Sequence, residues 1–242
     1  MNVTRSIEKN FENAIRLFST KKSVKEYNTS KLNHLCDQNG NIVPIACLPA
    51  QHHGLGANLG SEDDYSGLAS ELYLGVGTRV MLRTNLWLKK SLVNGSMGTV
   101  IDLLYEDGKS SPNDLPSVVM IKFDEYNGPG IGPENLVPIG RVTRYWNNKK
   151  KDEICSRNQF PLMVCYACTI HKSQGLTLDQ AVIDIGPSEF SLGVSYVGIS
   201  RVKTLDGILL NPFPLERLLN IKNRKEMNYR HGFEMILSMH KQ

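Results

Sequence analysis

The residues of this 242-residue chain best suited to chemistry are a His, a Lys, a Ser and a Gln in consecutive positions, His171 to Gln174. They stand in Thr169-Ile170-His171-Lys172-Ser173-Gln174-Gly175-Leu176-Thr177-Leu178-Asp179, directly after an apolar stretch that reads as a strand. The C-terminal end of a strand is where open α/β sheets bind ligands. A turn or helix N-terminus there offers backbone N–H groups and a positive dipole end, both suited to phosphate. Lys172 adds a charge, and Ser173 and Gln174 add donors. An ordinary polar loop would have the same composition. In a second segment, Tyr196-Val197-Gly198-Ile199-Ser200-Arg201-Val202, the apolar residues bury a helix face and deliver Ser200 and Arg201 near its end. Such an Arg either makes a surface salt bridge or reaches across a cleft to a neighbouring domain. There its planar fork would stabilise charge developing on a γ-phosphate.

Other patterns imitate sites but lack a part. Gly108-Lys109-Ser110 copies the end of a phosphate-binding loop, yet the position that needs the earlier Gly holds Leu103. Val118 to Glu125 resembles a strand ending in a magnesium-binding acidic pair, but Lys122 spoils a fully buried strand and no phosphate loop precedes it. Cys165 and Cys168, with Cys155 before and His171 after, suggest zinc. If Leu162 to Thr169 is one strand, however, side chains three apart point to opposite faces, so buried structural cysteines are the better reading. His52-His53 has nothing nearby to complete a ligand set. No metal site is expected.

The elements that must position these residues alternate between two textures. Ala14 to Phe18 reads as a short buried strand, and Ser19 or Thr20 can cap the helix that follows, with Ser23 and Glu26 at capping-box spacing. Val24, Asn28, Leu32 and Leu35 share one face of that helix. An Asn on a buried stripe needs a partner, so Asn28 is either a structural contact or a site residue. Asn41 to Pro49 suggests a strand, and Gln51 to Gly67 a long solvated loop. Strands are then expected over Thr78 to Leu82, Gly98 to Leu104, Val118 to Phe123 and Leu136 to Ile139, with a tight turn at Asn94-Gly95. They suggest a small β-barrel inserted into a larger α/β domain, followed by an exposed linker at Lys149-Lys150-Lys151. The α/β pattern resumes with strands at Leu162 to Thr169, Ala181 to Ile185 and Gly207 to Leu210. Ile170 to Gly175 opens a helix or tight turn, Phe190 to Val202 reads as a helix, and Leu215 to Ile236 is helical in character.

Composition sets only outer bounds. A chain with 40% hydrophobic residues can bury a real core. No run of about 18 apolar residues is present, and the first ten residues carry no apolar signal core. Five cysteines do not make a disulfide framework in a chain of this size. A net charge of +4 permits a nucleic-acid partner without arguing for one.

In order and about 25 residues apart, the two segments resemble the fifth and sixth motifs of superfamily-one helicases. The resemblance is to the Pif family (petite integration frequency) of DNA helicases and its Helitron-transposon relatives. It extends to Gln159-Phe160-Pro161-Leu162, to Gly77 to Leu86, Leu92 to Val100 and Phe123 to Pro129, and to Leu17 to Asn28 as the fourth motif. It implies an α/β fold, a second RecA-like domain over residues 1–75 and 146–242, with a small Src-homology-three-like barrel inserted at 76–145. It implies single-stranded DNA contacts from Thr169, His171, Lys172, Ser173 and Asn28. Gln174, Gly175, Tyr196, Ser200 and Arg201 would face nucleotide, with Arg201 the catalytic arginine finger. ATP and Mg²⁺ would be used by the complete enzyme and not held by this chain alone, because the phosphate loop and magnesium ligands belong to a first RecA-like domain absent here. The isolated chain is therefore expected to be inactive, and a non-catalytic nucleic-acid-binding module or a decayed transposon product is the alternative. The family further implies 5′-to-3′ movement, work in DNA repair, recombination and telomere maintenance, no membrane partner, and a nuclear or mitochondrial location. Two positions depart from its sixth motif: Val194 stands where a Gln is usual, and Gly198-Ile199 where Ala-Leu is usual.

Overall fold

The computed structural model describes residues 9–111, 113–148, 153–186, 193–213 and 215. In chain order the elements are β1 (Ile15–Phe18), α1 (Lys21–Asn33), β2 (Ala46–Pro49), β3 (Gln51–His53), β4 (Glu71–Leu74), β5 (Arg79–Leu82), β6 (Met97–Leu104), β7 (Val118–Phe123), β8 (Val137–Ile139), β9 (Val142–Asn148), β10 (Glu153–Gln159), β11 (Leu162–Val164), β12 (Ala167–Thr169), β13 (Ala181–Asp184), α2 (Val194–Ile199) and β14 (Ile208–Leu210). They fall into two compact units, one of Met1–Ser23 with Cys168–Gln242, the other of Val24–Ala167. The residues 76–145 lie inside the second. The helical stretch expected over Leu215 to Ile236 lies outside the described residues, apart from Leu215 itself.

The first unit is built on a four-stranded sheet of order β12-β1-β13-β14. Both β1 and β14 pair with β13 in parallel. Such strands are covered on both faces and so read as short apolar runs; Leu17, Ala181 and Ile183 are fully buried. Helix α1 begins where Thr20 accepts a hydrogen bond from the Ser23 backbone N–H at 3.1 Å. The cap is thus Thr20 with Ser23, rather than the Ser23–Glu26 pair.

The second unit carries a five-stranded antiparallel sheet, β11-β5-β6-β7-β8, beside the smaller sheets β3-β10-β9 and β2-β4. Its core gathers Leu74, Val80, Leu82, Val100, Ile121 and Phe160, all at most barely exposed. At Gly98 a Cβ would come within 2.7 Å of Ile121 Cγ2 and of the Lys122 carbonyl oxygen, so β6 can approach β7 this closely only with glycine there. The register along that pair slips between Val100 and Asp102, a bulge that bends β6.

Several expectations change. Residues 51–67 are not a free loop. Gln51–His53 pairs antiparallel with β10, and Tyr65 is fully buried beyond it. The cause is Arg157, itself 1% exposed, whose Nη1 donates to the Leu68 carbonyl at 2.8 Å and Nη2 to the Gly60 carbonyl at 2.7 Å. Its guanidinium carbon lies 4.2 Å from the Tyr65 ring centroid, and burial pulls the group below its ordinary pKa. The strands on either side of Lys149 to Lys151, a run outside the described residues, pair with each other, Asn148 opposite Glu153.

The strand expected over Leu162 to Thr169 is two strands in two sheets. The break has a visible cause. The Asn28 amide donates to the carbonyls of Val164 (3.2 Å) and Ala167 (3.0 Å) and accepts from the Ala167 N–H (2.8 Å), while the Cys165 N–H donates to Arg79. Cys165 and Cys168 are buried free thiols. No group of three or more metal-ligating side chains occurs among the described residues, and no helix there is long and apolar enough to cross a membrane.

Candidate functional site

The first unit brings the two chemistry-bearing segments together. The chain leaves β12 and makes one four-residue 3₁₀ turn, Ile170–Ser173. A turn this short has no helix dipole to offer an anion, so that part of the phosphate expectation is withdrawn. The turn is held by its own side chains. Thr169 Oγ1 accepts from the Lys172 N–H at 3.3 Å, and Ser173 Oγ donates to the Ile170 carbonyl at 2.7 Å. Gly175, at φ +86°, then reverses the chain in a conformation that favours glycine.

This geometry divides the polar quartet. Ser173 is fully buried, and Thr169 nearly so, with hydroxyls engaged in the turn. Lys172 is half-buried, while His171 and Gln174 are exposed. Asn28, in the second unit, is buried with its amide engaged by the 164–167 backbone.

Helix α2 packs against the turn. It has six residues within the expected Phe190 to Val202 span, and Phe190 lies outside the described residues. Gly198 faces the sheet: a Cβ there would meet Ile183 at 3.4 Å and Ile170 at 3.5 Å, ordinary contacts, so alanine would fit. Between helix and turn opens a cleft of about 310 Å³, with Ile170, Val194 and Val197 as apolar lining and His171, Gln174 and Tyr196 as polar lining. Tyr196 is 75% exposed at the helix. Val194 adds an apolar side chain, so the departure noted at this position removes a polar group from the cleft.

Arg201 follows the helix. Its Nε donates to the Val197 carbonyl at 3.0 Å and its Nη2 to Ser200 Oγ at 2.9 Å, while Ser200 Oγ donates in turn to the Val197 carbonyl. Backbone bonds then tie the ends of the two segments. The Leu178 N–H donates to the Arg201 carbonyl at 2.9 Å, and the Lys203 N–H to the Leu178 carbonyl at 3.0 Å. An ion pair from Lys203 to Asp179 at 2.7 Å reinforces the junction.

The patterns set aside earlier have structural uses. Asp124 forms a two-pronged pair with Arg79, Nη1 to Oδ1 at 2.8 Å and Nη2 to Oδ2. Lys109 pairs with Glu106 in the turn after β6. Sequence reasoning missed the part Arg157 plays, because its partners are carbonyls that no residue pattern displays.

The herpes helicase family model, described as a helicase, matches residues 138–231. The chain is 29% identical over 203 residues to the ATP-dependent DNA helicase PIF7 of Trypanosoma brucei brucei, covering 77% of this chain and 20% of that protein. It is 30% identical over 227 residues to the ATP-dependent DNA helicase Pif1 of Campylobacter jejuni, covering 90% of this chain and 44% of that protein. The chain therefore spans less than half the length of either relative. Among solved structures, Bacteroides Pif1 in complex with ADP-AlF3 and single-stranded DNA superposes with a TM-score of 0.55 and 28% identity, over 82% of this chain and 40% of that one. With the mixed α/β architecture described above, these likenesses make the fold that of a RecA-like helicase domain.

Proposed function

We propose, from the premise that the chain belongs to the Pif family of helicases and matches their C-terminal part, that it forms the second RecA-like domain of an ATP-dependent DNA helicase. One observation carries the reading. The segments Thr169 to Asp179 and Tyr196 to Val202 share one cleft and are hydrogen-bonded to each other through Leu178 and Arg201.

In this reading His171 and Lys172 meet single-stranded DNA from the surface of the turn, while Thr169 and Ser173 hold the turn beneath them. Asn28 holds the chain that leads into it. Gln174, Gly175, Tyr196 and Ser200 face nucleotide, and Arg201 is the arginine finger. To reach a phosphate, Arg201 exchanges its bonds to Val197 and Ser200 for charge-assisted ones. A guanidinium, an amide and exposed hydroxyls suit phosphate chemically. In this reading the site for ATP and Mg²⁺ is completed by another RecA-like domain, and the strand-rich 76–145 segment is the small barrel inserted in this one. Translocation 5′ to 3′ and nuclear or mitochondrial work follow the family pattern.

The test has two arms. Anisotropy of a labelled oligo(dT) should show binding that weakens with salt and with Lys172→Ala, since phosphate contacts release counterions. The chain alone should turn over no ATP. Absence of binding at low salt, or a DNA-stimulated ATPase that survives Arg201→Ala, overturns the reading.

A further inference from the structure

The connection between β5 and β6 shows three consecutive large apolar side chains to solvent. Leu86 is 46% exposed, Trp87 43% and Leu88 71%. They stand on a tightly bonded frame. The N–H groups of Leu86 and Trp87 both donate to the Leu92 carbonyl, and the Leu92 N–H returns a bond to Trp87. Ser96 Oγ donates to the Ser91 carbonyl, and Asn85 Oδ1 accepts from the Asn94 N–H. Leu92, 4% exposed, anchors the frame in the core of its unit. The exposure of the three residues is therefore a property of a fixed loop.

Charge says what such a loop suits. No Asp or Glu occurs between Glu71 and Asp102, while Arg79, Arg83, Lys89 and Lys90 do. Arg79 is engaged with Asp124. Lys89 and Lys90 follow Leu88, two and three positions after Trp87, and neither forms an ion pair among the described residues. A large ring beside two uncompensated ammonium groups suits a nucleic-acid strand, where the ring stacks on a base and the cations lie near backbone phosphates. Acids would be expected nearby if the loop served a basic protein surface.

We propose that the 85–94 loop is a second contact for single-stranded nucleic acid, Trp87 stacking on a base and Lys89 and Lys90 meeting its phosphates. The inference rests on the single-stranded DNA reading above and adds a site in the other unit. It is tested with the whole chain and oligo(dT). Trp87→Ala should lower affinity about tenfold, and Trp87→Phe should recover most of the loss. Joint Lys89→Ala and Lys90→Ala should flatten the slope of log affinity against log salt by about 1.4. The chain has two tryptophans. In a Trp146→Phe background the emission therefore comes from Trp87 alone and should quench on binding. Unchanged melting of Trp87→Ala would show that the loss is not one of folding. Binding that is weakened by Lys172→Ala yet indifferent to Trp87→Ala, with no quench, overturns the loop contact and leaves the turn contact standing. If Trp87→Ala instead abolishes self-association of the chain, the patch is an interface between copies and the proposal falls. No binding by the wild-type chain overturns both.

Discussion

Residues 51–68 and residues 169–179 are both polar and glycine-containing, and both carry histidine among amide and hydroxyl groups, yet they are held in different ways. The first is held from outside. Arg157, 97 positions from Gly60, reaches in and binds its carbonyls. The second is held from inside by Thr169 and Ser173, which close the turn and leave His171 and Gln174 facing outward. A polar loop whose carbonyls are gripped by a buried cation is scaffold. A polar loop closed by its own hydroxyls has side chains left for something else.

The largest expected effect tests the outside grip. Arg157→Leu leaves two buried carbonyls without donors and removes the cover of Tyr65, and should cost about 3 kcal/mol of unfolding free energy in urea titration. Hydrogen exchange should rise across residues 54–68. A loss below about 1 kcal/mol would erase the contrast. Next comes the inside closure. Ser173→Ala should cost about 1 to 2 kcal/mol of stability, whereas His171→Ala should change stability by less than about 0.5 kcal/mol and act on oligonucleotide affinity. The reverse pattern would mean that the hydroxyl faces the ligand and the imidazole holds the turn. The smallest effect lies under the turn. Gly198→Ala should stabilise the chain by about 0.5 to 1 kcal/mol, read as a higher melting temperature, because α2 gains a better helix former and the added methyl meets Ile183 and Ile170 at ordinary distance. A lower melting temperature would show that the helix needs its close seat on the sheet.

What the sequence made legible follows the same division. Short apolar runs marked β1, β7 and β13, because burial leaves its signature in the residues that are buried. The pairing of Thr169 to Asp179 with Tyr196 to Val202 was legible through resemblance. Composition could not show which way each polar side chain in the turn points. Ser173 and Gln174 are adjacent donors, yet one is buried and the other exposed, since a single 3₁₀ turn sends them to opposite sides. Nor could it show that an apolar stretch from Leu162 to Thr169 changes sheets midway. That depends on Asn28, 136 positions before Val164, offering its amide to the backbone there.

The backbone link between Leu178 and Arg201 carries a thermodynamic consequence. Two segments that share hydrogen bonds at their ends cannot be ordered independently. In the proposed reading, whatever free energy a bound strand contributes by fixing the turn is felt at the arginine, and a phosphate drawing the arginine out is felt at the turn by the same factor. A change that broke those backbone bonds would leave both contacts present and remove their mutual influence. The defect would show in neither affinity alone, only in the way one ligand changes the other.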